Sequence, residues 1–260
     1  MPESFRDLYA HRELLWLWTL RNLKVRYSQS LLGAAWAVLH PLSLMVMFTL
    51  LFTLFIQIPT GGIPYPIFSY TALVPWTFLS TSIALSVPSL VQNANLVTRT
   101  YFPRDILPLS AVLASFVDYL IAGLVFVGMM IVYRIPLSAT FLLLPLLIAI
   151  QFLLTLGVAL FASAVNVFYR DIRFVVPLGI QLWMYATPII YPITAVPESL
   201  RRFYLLNPMA VVVESYRDIT LRGTWPNWEY LAIAGLLSAA IFALGYRYFL
   251  RVEWQFADII

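Results

Sequence analysis

Charge is what this sequence has least of. Asp, Glu, Lys and Arg make up 11% of its 260 residues, less than half of the ~25% that a soluble globular domain carries. That is too little to cover a water-facing surface. The shortage is also uneven. No charged residue occurs from Tyr27 through Thr98, a run of 72, and further uncharged runs cover Ile135 to Tyr169, Phe174 to Pro197 and Tyr230 to Tyr246. A soluble fold is excluded, in keeping with a mean hydropathy of +0.85. Cysteine is absent, which rules out a disulfide framework and thiolate metal sites but leaves the compartment open. The one lysine, Lys24, follows Leu23, so no glycine-lysine phosphate loop can be built. The two histidines, His11 and His40, have no neighbours at metal-ligand spacing. No Ser/His/Asp set or carboxylate pair is evident. The chain is expected to move or anchor something without catalysing a reaction or binding a cofactor, and to draw any nucleotide energy from another chain.

What is present reads as membrane helices. A span needs ~20 mostly apolar residues, so the longest uncharged run holds two, parted by the Pro- and Gly-rich turn from Ile58 to Pro64. Six spans are expected, at about 31–57, 66–91, 109–133, 138–166, 174–193 and 228–249, forming one all-α integral membrane domain. With the N-terminus inside, inner segments hold 11 of the 16 Lys and Arg residues and outer segments 5. The positive-inside bias then places both termini in the cytoplasm and accounts for the net charge of +4 without nucleic acid. The first 26 residues mix Asp7 and Glu13 with five cations and have no short apolar core, so the first span is expected to serve as its own uncleaved insertion signal.

Two segments outside the spans are amphipathic. In residues 4–28, Phe5, Leu8, Tyr9, Trp16, Leu20, Leu23 and Tyr27 fall on one helical face, and Arg6, Glu13, Arg21 and Lys24 on the other, with Arg12 interrupting the apolar stripe. Tryptophan beside a cationic face suits a helix lying in the membrane interface; packing against protein is the alternative. Residues 194–227 follow a proline-broken stretch (Pro188, Pro192, Pro197) and read as two short helices separated by Asn207-Pro208. In the second of these, Val211, Val212, Val213, Tyr216 and Ile219 oppose Glu214, Arg217, Asp218 and Arg222. Half-polar helices can dip into a membrane where they are buried in protein or line a cavity, so this hairpin is a candidate outer gate with Arg201, Arg202, Asn207, Pro208, Glu214 and Arg217.

Asp118 is the one acidic residue near the middle of a predicted span, with no cation expected beside it within the bilayer. It is either a proton or ion site, or a carboxylate hydrogen-bonded at a helix interface. For a pathway, the first span offers Trp36, Phe48, Phe52 and Phe55, the last three at i, i+4 and i+7 on one face, and the fifth offers Trp183, Tyr185 and Tyr191. Aromatic rings present an apolar body, and Tyr and Trp add a polar handle, chemistry that suits sugars. The same spacing also suits helix packing or a lipid-facing belt.

Four stretches carry a resemblance. VRYSQSLLGAAWAVLHP over residues 25–41, YFPRDILPL over 101–109, NVFYRDI over 166–172, and YATPIIY over 185–191 with NPM over 207–209 resemble, in order, type-2 ABC exporter permeases of the polysaccharide and O-antigen class. The resemblance implies a homodimer paired with two cytosolic ATPase subunits that hold ATP and magnesium. It also implies export of a lipid-linked polysaccharide, such as O-antigen, across the bacterial inner membrane; teichoic acid, capsule or smaller amphiphiles fit the same architecture. A secondary carrier or channel is the alternative from another class. The inner segment from Val97 to Pro108 is then the expected coupling element. Pro103 and Pro108 bound a rigid piece, Phe102 offers an apolar knob, and Arg104 with Asp105 sets register by ion pairing, with Arg99 alongside. Tyr169, Arg170 and Asp171 form the second inner candidate.

Overall fold

The computed structural model describes residues 9–28, 30–56, 58–100 and 102–260. Phe5, Arg6, Asp7 and Leu8 of the N-terminal amphipathic stretch and Tyr101 of the second motif lie outside them. Helix makes up 81% of the structure and no strand occurs among the described residues, so the chain is all-α.

Helix α1 spans Arg12–Tyr27. A 3₁₀ turn at Gly33–Ala35 leads into α2, Trp36–Leu50, which ends in a π turn at Leu51–Phe55. The Pro/Gly turn falls where the sequence places it, with Gly61 and Gly62 both at positive φ, 67° and 84°, a conformation open to glycine at no steric cost. Then come α3 (Tyr65–Ser86), the short α4 (Ser89–Gln92) and α5 (Ala94–Arg99), and α6 (Ile106–Val132). A further 3₁₀ turn opens α7 (Leu144–Phe168), followed by α8 (Ile172–Tyr185). The hairpin is α9 (Glu198–Tyr204) and α10 (Pro208–Arg217), the latter running into a π turn at Asp218–Arg222. Helix α11 (Trp228–Val252) and a terminal turn, α12 (Phe256–Ile259), complete the chain.

Five of these segments are long and apolar enough to cross a membrane: Gly33–Phe55, Tyr65–Ser86, Ile106–Val132, Ala139–Phe168 and Trp228–Ile259. They match the first four expected spans and the last to within a few residues, except that α3 stops at Ser86 rather than 91 and the last segment runs on to Ile259 rather than 249. The expected span at 174–193 is shorter: α8 has 14 residues, ~20 Å at 1.5 Å per residue. Its end has a local cause. Pro188 disfavours helical geometry at Thr187, and Pro192 and Pro197, each with an extended ψ, flank a 3₁₀ turn at Ile193–Ala195.

Helix α3 is the centre. Of its most apolar 18-residue stretch 78% is buried, against 11% for the segment holding α2. It packs on α6, α7, α2, α10 and α8. Pro75 lies inside it, and its carbonyl accepts from Gln151 Nε2 of α7 at 2.6 Å. The closest helix pair is α7 with α11, made possible by glycine. A Cβ on Gly157 would fall 2.6 Å from the Phe242 backbone, and one on Gly245 would collide with the Gly157 carbonyl. By contrast α8 buries none of its residues.

The two ends of the bundle differ. At one, here the basic end, α4, α5, the loop before α6 and α12 gather Leu90, Val97, Phe102, Val167, Phe249 and Phe256 into an apolar cluster, with Leu14, Leu15 and Trp18 of α1 against it. At the other, the hairpin end, α10 packs on α3 and Asn207 at its start reaches Trp183 and Thr187 at the end of α8.

Candidate functional site

The hairpin end is built around two polar side chains. Asn207 caps α10, its Oδ1 accepting from the Met209 N–H at 3.1 Å, a stabilising arrangement at a helix N-terminus. The same oxygen accepts from Trp183 Nε1 at 3.0 Å, and Asn207 Nδ2 donates to Thr187 Oγ1 at 2.9 Å and to the Ala186 carbonyl at 3.3 Å. Pro208 takes the first helical position, where its missing N–H costs nothing. The two sequence stretches that end in YATPIIY and begin with NPM thus meet in space, one supplying a broken helix end and the other its donors.

Arg217 completes this clasp. It is fully buried, 0% exposed. Its Nη1 donates to the Pro188 carbonyl at 2.7 Å and to Glu214 Oε2 at 3.2 Å, and its Nη2 to the Ile189 carbonyl at 2.6 Å. The guanidinium lies 3.7 Å from the centre of the Phe68 ring, within cation–π range. Burial pulls its pKa down to about 10, with Glu214 opposing, so it remains charged at neutral pH. This corrects the expectation that Arg217 sits on an outward polar face of a half-polar helix. Every residue of α10 except Glu214 is buried, because the carbonyls freed by the break at Pro188 must find donors. Glu214 is shared with Arg222 at 2.6 Å, which also holds Asp218 at 2.6 Å. Arg201 is half-buried and donates to the Val196 carbonyl at 3.3 Å, while Arg202 is exposed.

The aromatic candidates divide. Phe48 is buried, and from it a ladder of rings runs through Phe52 and Tyr65 to Phe68, with centres 6.3, 5.7 and 6.1 Å apart. It ends at Arg217, and the Tyr65 hydroxyl donates to the Ile190 carbonyl at 2.7 Å. Phe55, expected on the same face, is 78% exposed. The π turn at Leu51–Phe55 adds a residue to the last turn and swings Phe55 off the stripe. Trp183 packs edge-on against Trp76 at 5.9 Å. Trp36 and Tyr185 are exposed. Tyr191 is half-buried, donates to the Tyr185 carbonyl at 2.7 Å and lies 3.1 Å from the Tyr204 hydroxyl.

The basic end is built differently from expectation. Phe102, expected as an outward knob, is 7% exposed and belongs to the apolar cluster beneath the loop. Arg104 Nη1 donates to the Glu253 carbonyl, and buried Asp105 accepts from the Tyr246 hydroxyl at 3.2 Å. Both ties run to the C-terminal part of the chain, so the loop is fastened from within. Pro103 is half-buried, and Arg99, Tyr169, Arg170 and Asp171 are exposed. Those four, together with Arg173, form the outward polar surface of this end.

Asp118 has partners that the sequence conceals. It forms an ion pair with Arg26 and accepts from the Tyr27 hydroxyl at 2.6 Å. The cation comes from the end of α1, 92 residues away. Burial, with the Asp118 carboxylate adding to it, pushes the Tyr27 phenol up to about 12, leaving it a neutral donor. Helix α1 is further fixed by Asn22 donating to Ser110 Oγ at 3.0 Å and Arg21 to Asn93 Oδ1 at 3.3 Å. It packs on α6 while Tyr9, Trp16 and Leu20 stay exposed, so it has both a protein face and an open apolar face.

A second buried network was not foreseen. The Tyr216 hydroxyl of α10 donates to Gln151 Oε1 at 3.2 Å and lies 3.0 Å from the Tyr119 hydroxyl of α6. With Gln151 on Pro75, this ties four helices together. Gln151 is the lone amide in its uncharged run apart from Asn166 near the run's end, and that isolation was the available signal.

Comparison with known proteins places this architecture. Residues 13–221 match the family model for the ABC-2 type transporter membrane domain. The chain belongs to the ABC-2 type transporter family. This ABC-2 family member is 34% identical over 251 residues to a Klebsiella pneumoniae O-antigen export system permease protein, RfbA, covering 95% of each chain. It is 30% identical to the RfbA of Myxococcus xanthus over the full length of both. A more distant relative is the Escherichia coli polysialic acid transport protein KpsM, 23% identical over 88% of this chain and 90% of that one. An ABC-2 chain of this kind is a multi-pass membrane protein and a permease subunit rather than a catalytic one.

Proposed function

We propose that this ABC-2 family member is the transmembrane subunit of an ATP-driven exporter that moves a lipid-linked polysaccharide, O-antigen in kind, across the bacterial inner membrane. It acts as a homodimer with two cytosolic ATPase subunits, which hold the ATP and magnesium. The observation that carries this reading is the pairing of full-length similarity to export permeases with two helices left nearly uncovered. Helices α2 and α8 are apolar and aromatic, yet in one copy few residues of the first and none of the second are buried. A second copy facing them encloses a path bordered by Trp36, Phe55 and Tyr185. Uncharged aromatic walls guide sugars without holding them tightly.

In this reading the basic end is cytoplasmic, as the distribution of Lys and Arg favours, and both termini lie there. Helix α8 and the irregular chain to Tyr191 make the sixth crossing, since Ile172 follows the basic-end terminus of α7 and Ile190 reaches Tyr65 at the hairpin end. The hairpin is the outer gate, and the ATPase docks on Arg99, Tyr169, Arg170 and Asp171. A secondary carrier has no observation on its side: Asp118 is engaged by Arg26 and Tyr27.

The test is co-purification with the cognate ATPase and reconstitution into vesicles. A stable complex is expected, with ATP hydrolysis that responds to lipid-linked glycan and glycan that becomes protected inside inverted vesicles. Failure of any ATPase to associate sinks the proposal.

A further inference from the structure

A cavity of about 370 Å³ opens where the end of α1 and the start of α2 meet α3 and α6, a volume equal to about a dozen waters. The rest of the bundle has no use for it. Its walls are mostly apolar, but they hold Arg26, Tyr27, Trp36, His40, Thr77 and Asp118, a cation and an anion among them in a molecule that is otherwise poor in charge. Leaving such groups to hydrocarbon would be costly.

The polar groups are not used up. Arg26 directs one donor to Asp118 and one to Ser115 Oγ, and a guanidinium has five. The Asp118 carboxylate accepts from Arg26 and Tyr27, and a carboxylate offers about four lone-pair sites. The Thr77 hydroxyl, buried in the lining, has no hydrogen-bond partner among the described residues. On either side α2 and α6 leave Leu39 and Leu124 exposed, surfaces suited to acyl chains.

We infer that this cavity is a binding site for the head group of a zwitterionic phospholipid with a primary ammonium, of the phosphatidylethanolamine type. The complement of a cation and an anion side by side is a ligand that carries both. The phosphate lies on Arg26 with help from the Trp36 indole N–H, and the ammonium donates to Asp118. A doubly anionic head, such as the diphosphate of a glycan carrier, fits worse, because Asp118 cancels Arg26 and faces the added charge. The inference rests on the chain being embedded in a membrane and not on its cargo.

The experiment is native mass spectrometry of the full-length chain, stripped of lipid in detergent and titrated separately with phosphatidylethanolamine, phosphatidylcholine and phosphatidylglycerol of identical acyl chains. Wild type is expected to hold the ethanolamine lipid about tenfold more tightly than the choline lipid, whose quaternary ammonium cannot donate a hydrogen bond, a difference on the scale of one charge-assisted bond. Asp118→Asn should erase that preference, and Arg26→Gln should weaken all three lipids. Should either variant fail to fold, Ala37→Phe fills the cavity from α2 and leaves the ion pair in place; it should abolish the ethanolamine preference by itself. Equal binding of ethanolamine and choline lipids by wild type, or a preference that survives the variants that fold, overturns the inference. Neither ATP nor glycan enters the assay, so its failure leaves the export reading standing, and failure of export leaves this site standing.

Discussion

The two ends of this molecule treat charge in opposite ways. At the hairpin end Arg217 is sealed inside and its donors are spent on main-chain carbonyls. At the basic end Arg99, Arg170 and Asp171 stand in the open, and the loop between them is held by Phe102 packing inward. The difference lies in what each end must satisfy. The break at Pro188 strands carbonyls in an apolar setting, where an unmet acceptor costs about as much as a lost hydrogen bond. The basic end leaves its charged side chains exposed and free to meet something else. Two arginines that look alike in sequence therefore do different work: one completes the fold and the other offers a surface.

The largest effect should come from breaking the clasp. Arg217→Met keeps the bulk of the side chain but leaves the Pro188 and Ile189 carbonyls and Glu214 without their donor. Removing one partner from a buried charged network costs about 3–5 kcal/mol, so thermal unfolding in detergent should begin well below wild type, with the hairpin the first segment to lose protection in hydrogen exchange. A midpoint within experimental error of wild type would show that the clasp contributes nothing. Phe102→Ala should rank next. It empties a site in the cluster formed with Val97, Ile106, Val167 and Phe256, and buried Phe-to-Ala changes cost about 3–5 kcal/mol where the site cannot collapse. Its slight exposure and its place at the edge of the bundle put the expectation at the low end, about 3 kcal/mol. Any fall in ATPase stimulation should then scale with the lost stability and be restored by Phe102→Leu. A fall in stimulation with unchanged unfolding would return Phe102 to the role of an outward knob.

How far the sequence carries can be read from the same residues. The long spans were legible because membrane insertion depends on an average over ~20 residues, and an average survives ignorance of packing. The short helix at Ile172–Tyr185 was less so, since its end is set by one proline inside an apolar run that otherwise looks uniform. Helical periodicity placed Phe48 and Phe52 together, but it assumes a constant 3.6 residues per turn, and the π turn at Leu51–Phe55 broke that assumption for Phe55. Asn207-Pro208 announced a helix start by its chemistry. The exposure of Arg217 could not be judged from its own helix, because the groups that bury it lie 28 and 29 residues back in the chain. Asp118 shows the same limit over a longer range: its charge and depth were visible, and its partner in α1 was not.

The smallest change in stability, with a larger one in activity, should come at the exposed loop after α7. Arg170→Glu alters a side chain that stands in the open at the basic end, and substitutions at such positions usually leave stability nearly unchanged. The unfolding midpoint of the purified permease should therefore match wild type. Its effect should appear when the ATPase is present, because a reversed charge at a docking surface slows association and repels a partner matched to the original sign. Co-purified ATPase should fall several-fold, and the deficit should deepen at low ionic strength, where charges at a surface are least screened. A compensating reversal on the ATPase should recover part of it. If Arg170→Glu instead lowers the unfolding midpoint as far as Arg217→Met does, the contrast between the two ends fails: both arginines would then be parts of the fold, and the docking surface would have to be sought elsewhere, with Arg99 and the loop before α6 as the next place to look.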